Sequence, residues 1–340
     1  MKERYYKPKK TVLLTGAGFS KPFGGFLASE MWSIFFNRLT SPDYSRMRHI
    51  LRGNLNYELA YAQVIAGEYA QNEKDYFTKC LMEAYADVDR SLCEITYDKR
   101  AFIQPLRTFI DLFAGEGNER GFVFTLNQDL LIERFYSNHN FLLQIPSLHH
   151  TDWFRGTMNR ADLPQVDIPP NQQLDRDKGE FWTKGKSTQN FCYLKLHGSF
   201  GWRSLVNKNA MVIGSDKAGS IANEPLLRWY LDLFREVLNS KDQTLVVVGY
   251  GFRDDHINSI IADAGKQGLR LHVISPLQVS EFKNILISIG SIVTKATHRG
   301  SEIWEMLEGY YCESVVQLFP ESNKHATAIG RTFLQNVGLQ

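Results

Sequence analysis

A chain of 340 residues can bury one large core or two modest ones, and a 43% hydrophobic, 22% charged composition is that of an ordinary globular protein. Lys and Arg number 39 against 37 Asp and Glu, which excludes an overall field for gathering nucleic acid; no direct nucleic-acid binding is evident. Cys80, Cys93, Cys192 and Cys312 form no Cys-x-x-Cys pair, so no structural zinc site and no metal is implied, and reduced thiols are expected.

No adequate apolar segment follows the basic stretch from Met1 to Lys10, so a signal peptide is not read. No later run approaches the roughly 20 residues needed to span a bilayer. The expectation is a cytoplasmic protein without membrane contact. Lys10 to Ser20 then gives a short β-branched apolar run that stops at Gly16-Ala17-Gly18-Phe19-Ser20. That is the pattern of a buried strand feeding a phosphate-cradling loop. Glycine permits unusual φ values and lets backbone N–H groups approach a pyrophosphate; a plain tight turn is the competing reading.

Ala28 to Leu39 is apolar around much of its circumference and predicts a buried helix. Two helices follow between about Tyr57 and Ala86. From Asp98 to Ala114, Phe102, Leu106, Phe109 and Phe113 fall on one helical stripe. This block reads as a helical insertion, residues 28–118, between the first strand and the second. Gly121 to Thr125 is the second strand, ending in Asn127-Gln128-Asp129, with a helix from about Leu130 to Ser137.

The region 146–190 is polar, holds Pro164, Pro169 and Pro170, and lacks periodicity. It reads as a long loop, the kind that serves function, flexibility or a partner. His149, His150 and Asp152 within it could ligate a metal, but a solvated loop is the preferred reading. Cys192 to Leu196 is a strand running into His197-Gly198-Ser199. Trp202–Val206 and Ala210–Ile213 read as a hairpin, and Asn223 as the N-cap of a helix with Pro225 in its first turn. Thr244 to Gly249 is a buried strand breaking at Gly249-Tyr250-Gly251, with a helix starting near Asp254 or Asp255. Leu269 to Ile274 is a strand ending at Ser275. A helix, a short strand at Ser291-Ile292-Val293 and a last helix from Ser301 to about Leu318 lead into a C-terminal helical end, residues 300–340.

Alternating strands and helices predict an α/β fold, a doubly wound (Rossmann-like) parallel sheet in a single domain spanning 1–340. Every distinctive polar or glycine cluster falls at the carboxyl end of a predicted strand: Gly16–Ser20, Asn127 with Asp129, His197, Gly249–Gly251 and Ser275. Packing alone does not send them all to one edge, so one nucleotide-binding crevice is expected there.

Four of these stretches resemble the sirtuin family. The matching residues are the Gly-Ala-Gly-x-Ser loop (Gly16 to Ser20), Thr125-x-Asn127-x-Asp129, the His197-Gly198 pair and the later glycine loop at Gly249. Two departures bear on activity: the zinc ribbon of sirtuin deacylases has no counterpart, and Phe23-Gly24-Gly25-Phe26-Leu27 replaces their Ile-Pro-x-Phe-Arg type segment. Both features help build an acyl-lysine cleft. The form Gly249-Tyr250-Gly251-Phe252-Arg253-Asp254-Asp255-His256-Ile257-Asn258 is instead similar to sirtuin-like NADases of bacterial anti-phage defence. That resemblance implies NAD+ as substrate, cleaved to nicotinamide and ADP-ribose, with no zinc.

Breaking the nicotinamide–ribose bond passes through an oxocarbenium-like transition state. On this reading Asn127 orients the water or a ribose hydroxyl, and His197 takes a proton from either. Asp129 holds the ribose or the nicotinamide amide, Gly16 to Ser20 cradle the pyrophosphate, and Gly249, Tyr250, Gly251 and Ser275 border the adenosine half. Competing structural roles exist: His197 as an ordinary buried histidine, Asn127 and Asp129 as helix caps, and Asp254-Asp255-His256 as a cation site or, preferred, a complement to a helix dipole. An NAD+-dependent protein deacylase and a catalytically silent NAD+-binding scaffold are the alternative functions. A toxic NADase needs restraint, so a homo-oligomer is expected, and the resemblance suggests a hexameric DNA-translocase-type ATPase as partner.

Overall fold

Buried β-branched runs pair with one another because their backbone groups have no other partners once both faces are covered. In the computed structural model, which describes residues 5–98, 103–136, 143–148, 165–183, 191–205, 209–292, 299–320 and 326–339, these runs form an eight-stranded sheet in which every pairing is parallel. In chain order its strands are β1 (Lys7–Pro8), β2 (Thr11–Thr15), β3 (Glu119–Thr125), β4 (Leu143–Gln144), β6 (Phe191–Lys195), β8 (Thr244–Val248), β9 (Arg270–Ile274) and β10 (Leu307–Tyr311). Val166–Asp167 (β5) and Trp202–Arg203 (β7) make a separate two-stranded parallel pair.

The spatial order is β10-β9-β8-β2-β3-β6-β4, with β1 alongside β3. Leaving out the two short strands, this is the Rossmann order 3-2-1-4-5-6, which reverses between β2 and β8. Helices cover both faces. Phe122 and Phe124 point to one face, where Phe234 of the helix Pro225–Leu238 meets Phe124 edge-on at 4.8 Å. Gly121 alternates to the other face, and a Cβ there would sit 1.9 Å from the Phe113 carbonyl oxygen. Phe109, Phe113, Phe319 and Phe333 pack together on that side. The doubly wound expectation holds.

Between β2 and β3 lie the helices Ala28–Arg38, Ser45–Gly53, Tyr57–Ala66, Gln71–Asp98 and Gln104–Asp111. Ala28–Arg38, Tyr57–Ala66 and Gln71–Asp98 answer predicted helices, Ser45–Gly53 is an addition, and the expected Asp98–Ala114 helix shortens to Gln104–Asp111, with Phe102 outside the described residues. Five expectations need correction. Ser291 and Ile292 belong to the helix Val279–Ile292, whose Phe282 and Leu286 are buried at an i, i+4 spacing, while Val293 lies outside the described residues. The strand in that part of the chain is β10, which divides the expected final helix into Gly300–Glu305 and Val315–Leu318; a further helix, Ala328–Val337, follows. Gly309 makes this strand possible, because a Cβ there would meet His272 Nδ1 at 2.4 Å.

Asn223 closes the helix Lys217–Asn223, and the N-cap before Pro225 is Glu224. The proposed hairpin is only partly realised. Trp202–Arg203 pairs with β5, although the Ala210 N–H still donates to the Trp202 carbonyl at 2.8 Å. The 146–190 stretch is not all loop: it carries β5 and the helix Asn171–Glu180. Its His149, His150 and Asp152 lie outside the described residues. Among the described residues, no helix is long and apolar enough to cross a membrane.

Candidate functional site

Parallel register lines up Thr15, Thr125, Lys195, Val248, Ile274 and Tyr311 across the sheet. Two residues beyond that row come Ala17, Asn127, His197 and Tyr250, with Ser275 one residue past Ile274. The clusters singled out in the sequence therefore share one carboxyl rim. Asn127 and His197 each lie two residues past the ends of the adjacent strands β3 and β6.

At the reversal between β2 and β8 the two glycine loops interlock. Gly16 N–H donates to the Val248 carbonyl and Gly18 N–H to the Gly249 carbonyl, both at 2.9 Å. A Cβ on Gly16 would meet Gly249 O and Tyr250 Cα at 2.7 Å. Gly249 is the tighter case: its φ is +65°, and a Cβ there would approach Phe19 N to 2.1 Å. These glycines are required by loop-on-loop contact, apart from any ligand.

One strand over, side chains tie the first loop to β3. Asn127 Nδ2 donates to Gly16 O and to Ser20 Oγ, each at 3.0 Å. Ser20 Oγ donates in turn to Asp129 Oδ2 at 2.8 Å, while Asp129 Oδ1 accepts from the Leu131 N–H and starts the next helix. Asp129 thus serves both the capping role and the loop. Beneath it, Lys195 Nζ reaches the Asp129 carbonyl at 2.5 Å and Glu133 Oε1 at 2.7 Å, and this ion pair is 0% and 1% exposed. Burial pushes the Glu133 carboxyl up, with Lys195 opposing it. The insertion touches the same edge: Tyr85 OH donates to Gln128 Oε1 at 2.5 Å and meets Tyr57 OH at 3.1 Å.

His197, 3% exposed, places Nε2 3.0 Å from His256 Nε2. Burial, aided by Lys217 and His256 and opposed by Asp254, pulls its pKa down to about 3, so the imidazole is neutral at physiological pH. Burial lowers His256 as well. Burial works against the Asp254 charge, but its basic neighbours, with the Lys217 ammonium in direct contact, offset it and hold the carboxyl below its usual range. Lys217 Nζ bridges Asp254 Oδ1 at 2.8 Å and Glu58 Oε2 at 2.7 Å, the latter reaching in from the insertion. Tyr250 fixes this corner. Its hydroxyl donates to Asn258 Oδ1 and accepts from the Asp254 N–H, both at 3.0 Å.

The structure therefore gathers Gly16 to Ser20, Asn127, Asp129, Gly249 and Tyr250 through direct contacts, while His197 past the end of β6 meets His256. Gly251 is exposed, and the Ser275 hydroxyl accepts from the Leu277 N–H at 3.4 Å and hydrogen-bonds Tyr310 of β10. Sequence reasoning missed Glu58, Tyr85 and Lys217, and weighed His256 as part of a cation site but preferred a helix start. His256 carried a signal, since it follows the Gly249 loop closely; the other three lie far from any motif.

Fold and rim together define a Rossmann-like α/β domain with its polar groups at the carboxyl ends of the strands. Residues 121–281, just under half of the chain, match the family model described as a SIR2-like domain. A domain of this kind implies use of NAD+. A solved structure titled "Structural Basis for the Mechanism and Regulation of Sir2 Enzymes" aligns at 16% identity, covering 89% of this chain and 92% of that one. Its TM-score is 0.33, too loose a likeness to bear on the site. No curated protein matches the chain.

Proposed function

We propose that this protein is an NAD+ glycohydrolase that breaks the nicotinamide–ribose bond to release nicotinamide and ADP-ribose. The observation that carries the reading is that Asn127 and His197 follow the paired strands β3 and β6 by two residues each, on the same rim as the interlocked glycine loops. The positively charged nicotinamide is a good leaving group, so the protein's task is to position the ribose and to manage one proton. Asn127 fixes the Gly16 loop through its Nδ2 and presents its amide oxygen to a water or hydroxyl. His197, neutral at physiological pH, is in the form that can accept a proton. Gly16 to Ser20 and Gly249 to Gly251 border the dinucleotide, and Asp129 holds Ser20 in place while remaining a candidate ribose contact.

The same reading makes the chain the toxic effector of a bacterial anti-phage defence system, held in check by self-association or by a hexameric DNA-translocase-type ATPase. The closed arrangement supports such restraint: Asn127 donates inward, and His197 is buried against His256. That observation also favours the one competing reading, a silent NAD+-binding scaffold. Incubating the purified chain with NAD+, alone and with candidate partners, and quantifying nicotinamide by chromatography separates the two. Release that vanishes in Asn127→Ala and His197→Ala supports hydrolysis. NAD+ that raises the melting temperature yet survives intact in every sample supports the scaffold. An acetylated peptide in the same assay examines deacylation, since acetyl-ADP-ribose forms only in that case.

A further inference from the structure

Beyond the end of β6, three potential metal ligands from two distant segments converge. His197 Nε2 and His256 Nε2 stand 3.0 Å apart, and the ligand atoms of His197, His256 and Asp254 all lie within 4.8 Å of one another. Two imidazole nitrogens on one tetrahedral ion, each at about 2.0–2.1 Å, stand about 3.3 Å apart. The observed spacing is within a few tenths of an ångström of that bite. Both rings turn the same nitrogen toward the shared point.

Charge points the same way. Lys217 is the ammonium facing Asp254, and it also faces Glu58, so two carboxylates surround one cation. The group is largely withdrawn from water. Lys217 engages Asp254 through Oδ1, and a carboxylate has a second oxygen able to bind a metal. Two nitrogens and one oxygen suit zinc, cobalt, nickel or iron(II) better than calcium or magnesium, which take oxygen ligands.

We propose that His197, His256 and Asp254 form a binding site for one divalent first-row transition ion. The site stands apart from the hydrolase reading. One consequence rests on that reading: an ion on His197 Nε2 occupies a proton-accepting nitrogen and silences the reaction. Paired-cysteine spacing is blind to such a site, because its ligands fall at 197 and at 254 and 256.

The full-length chain, stripped with a chelator and titrated with cobalt(II) chloride, tests the site by visible absorption and calorimetry. One equivalent binds, gives the d–d bands of a four- or five-coordinate ion, and raises the melting temperature. His256→Asn and Asp254→Asn, each checked for folding by circular dichroism, weaken that affinity about ten-fold or more. Absence of the bands in the natural protein, or unchanged affinity in a folded variant, overturns the site. Nicotinamide release, followed through the same titration, falls with the midpoint of binding and returns on adding chelator. Full release at saturating cobalt overturns the switch. Failure of the metal-free chain to release nicotinamide strikes the hydrolase reading alone, since the binding measurements do not depend on turnover.

Discussion

Two stretches of the carboxyl rim are built on opposite principles. At the β2–β8 reversal, the Gly16 and Gly249 loops meet through backbone, and what holds them is the lack of side-chain atoms. Beyond β6, Glu58, His197, Lys217, Asp254 and His256 meet through side chains, drawn from segments that no local motif links. The first is a steric requirement that a single methyl group breaks. The second is an electrostatic balance in which one substitution leaves other groups without their partners.

The largest expected effect tests the steric half. Gly249→Ala forces a Cβ into the Phe19 backbone at a left-handed φ, and should cost more than about 3 kcal/mol of stability in urea unfolding. Gly251→Ala is the control, because only the Arg253 side chain comes within 4 Å of the added carbon, at 3.8 Å. Equal losses at both positions would remove the distinction between a seam and an ordinary turn.

Next comes chemistry. His197→Ala and Asn127→Ala should each lower nicotinamide release by about 10²–10⁴-fold, the usual span for a proton-transfer or positioning group. Asn127→Ala should in addition lower the melting temperature, because Gly16 O and Ser20 Oγ lose a donor. A variant that keeps full turnover would leave the rim as scaffold.

Under Asp129, Lys195→Met should cost about 3 kcal/mol or more, by leaving the Glu133 carboxylate buried without its cation. The double variant Lys195→Met with Glu133→Leu should recover part of that loss in the same unfolding assay. If it recovers nothing, the pair acts through Asp129 positioning instead of through charge.

The smallest effect lies away from the rim. His272 is 2% exposed, and burial, with Arg270 nearby, pulls its pKa down to about 4. Its folded value lies below the unfolded one, so the unfolded chain binds the proton first as the pH falls. The stability tied to its neutral form is complete above about pH 6.5 and is lost toward pH 4, by about 2–3 kcal/mol. Urea midpoints at pH 7, 5.5 and 4.5 should show that slope, and His272→Leu should flatten it. An identical slope in the variant would assign the loss to other groups.

The steric half of the rim was legible in the sequence because its cause is local. A β-branched run ending in Gly-x-Gly marks a strand end and a tight turn at Gly16 and again at Gly249. Register then carried Asn127 and His197 to the same level without further information. Strand β10 was hidden because Leu-Glu-Gly-Tyr-Tyr has neither β-branched residues nor alternation, and its pairing is set by the space around His272. The charged cluster was hidden for a different reason: Glu58 and Lys217 meet across 159 positions only after the helical insertion has packed over the rim.

The central strand's two partners both lie far downstream in the chain. Leu13 sits beside Val123, and Thr11 beside Thr244. During synthesis, β2 therefore leaves the ribosome before either partner, and its backbone is not satisfied on both edges until β8 has emerged. Such long-range closures slow folding. Until then an apolar strand edge stays open to wrong partners, so full-length chains should need protection during synthesis more than during refolding from denaturant, where every strand is present from the start.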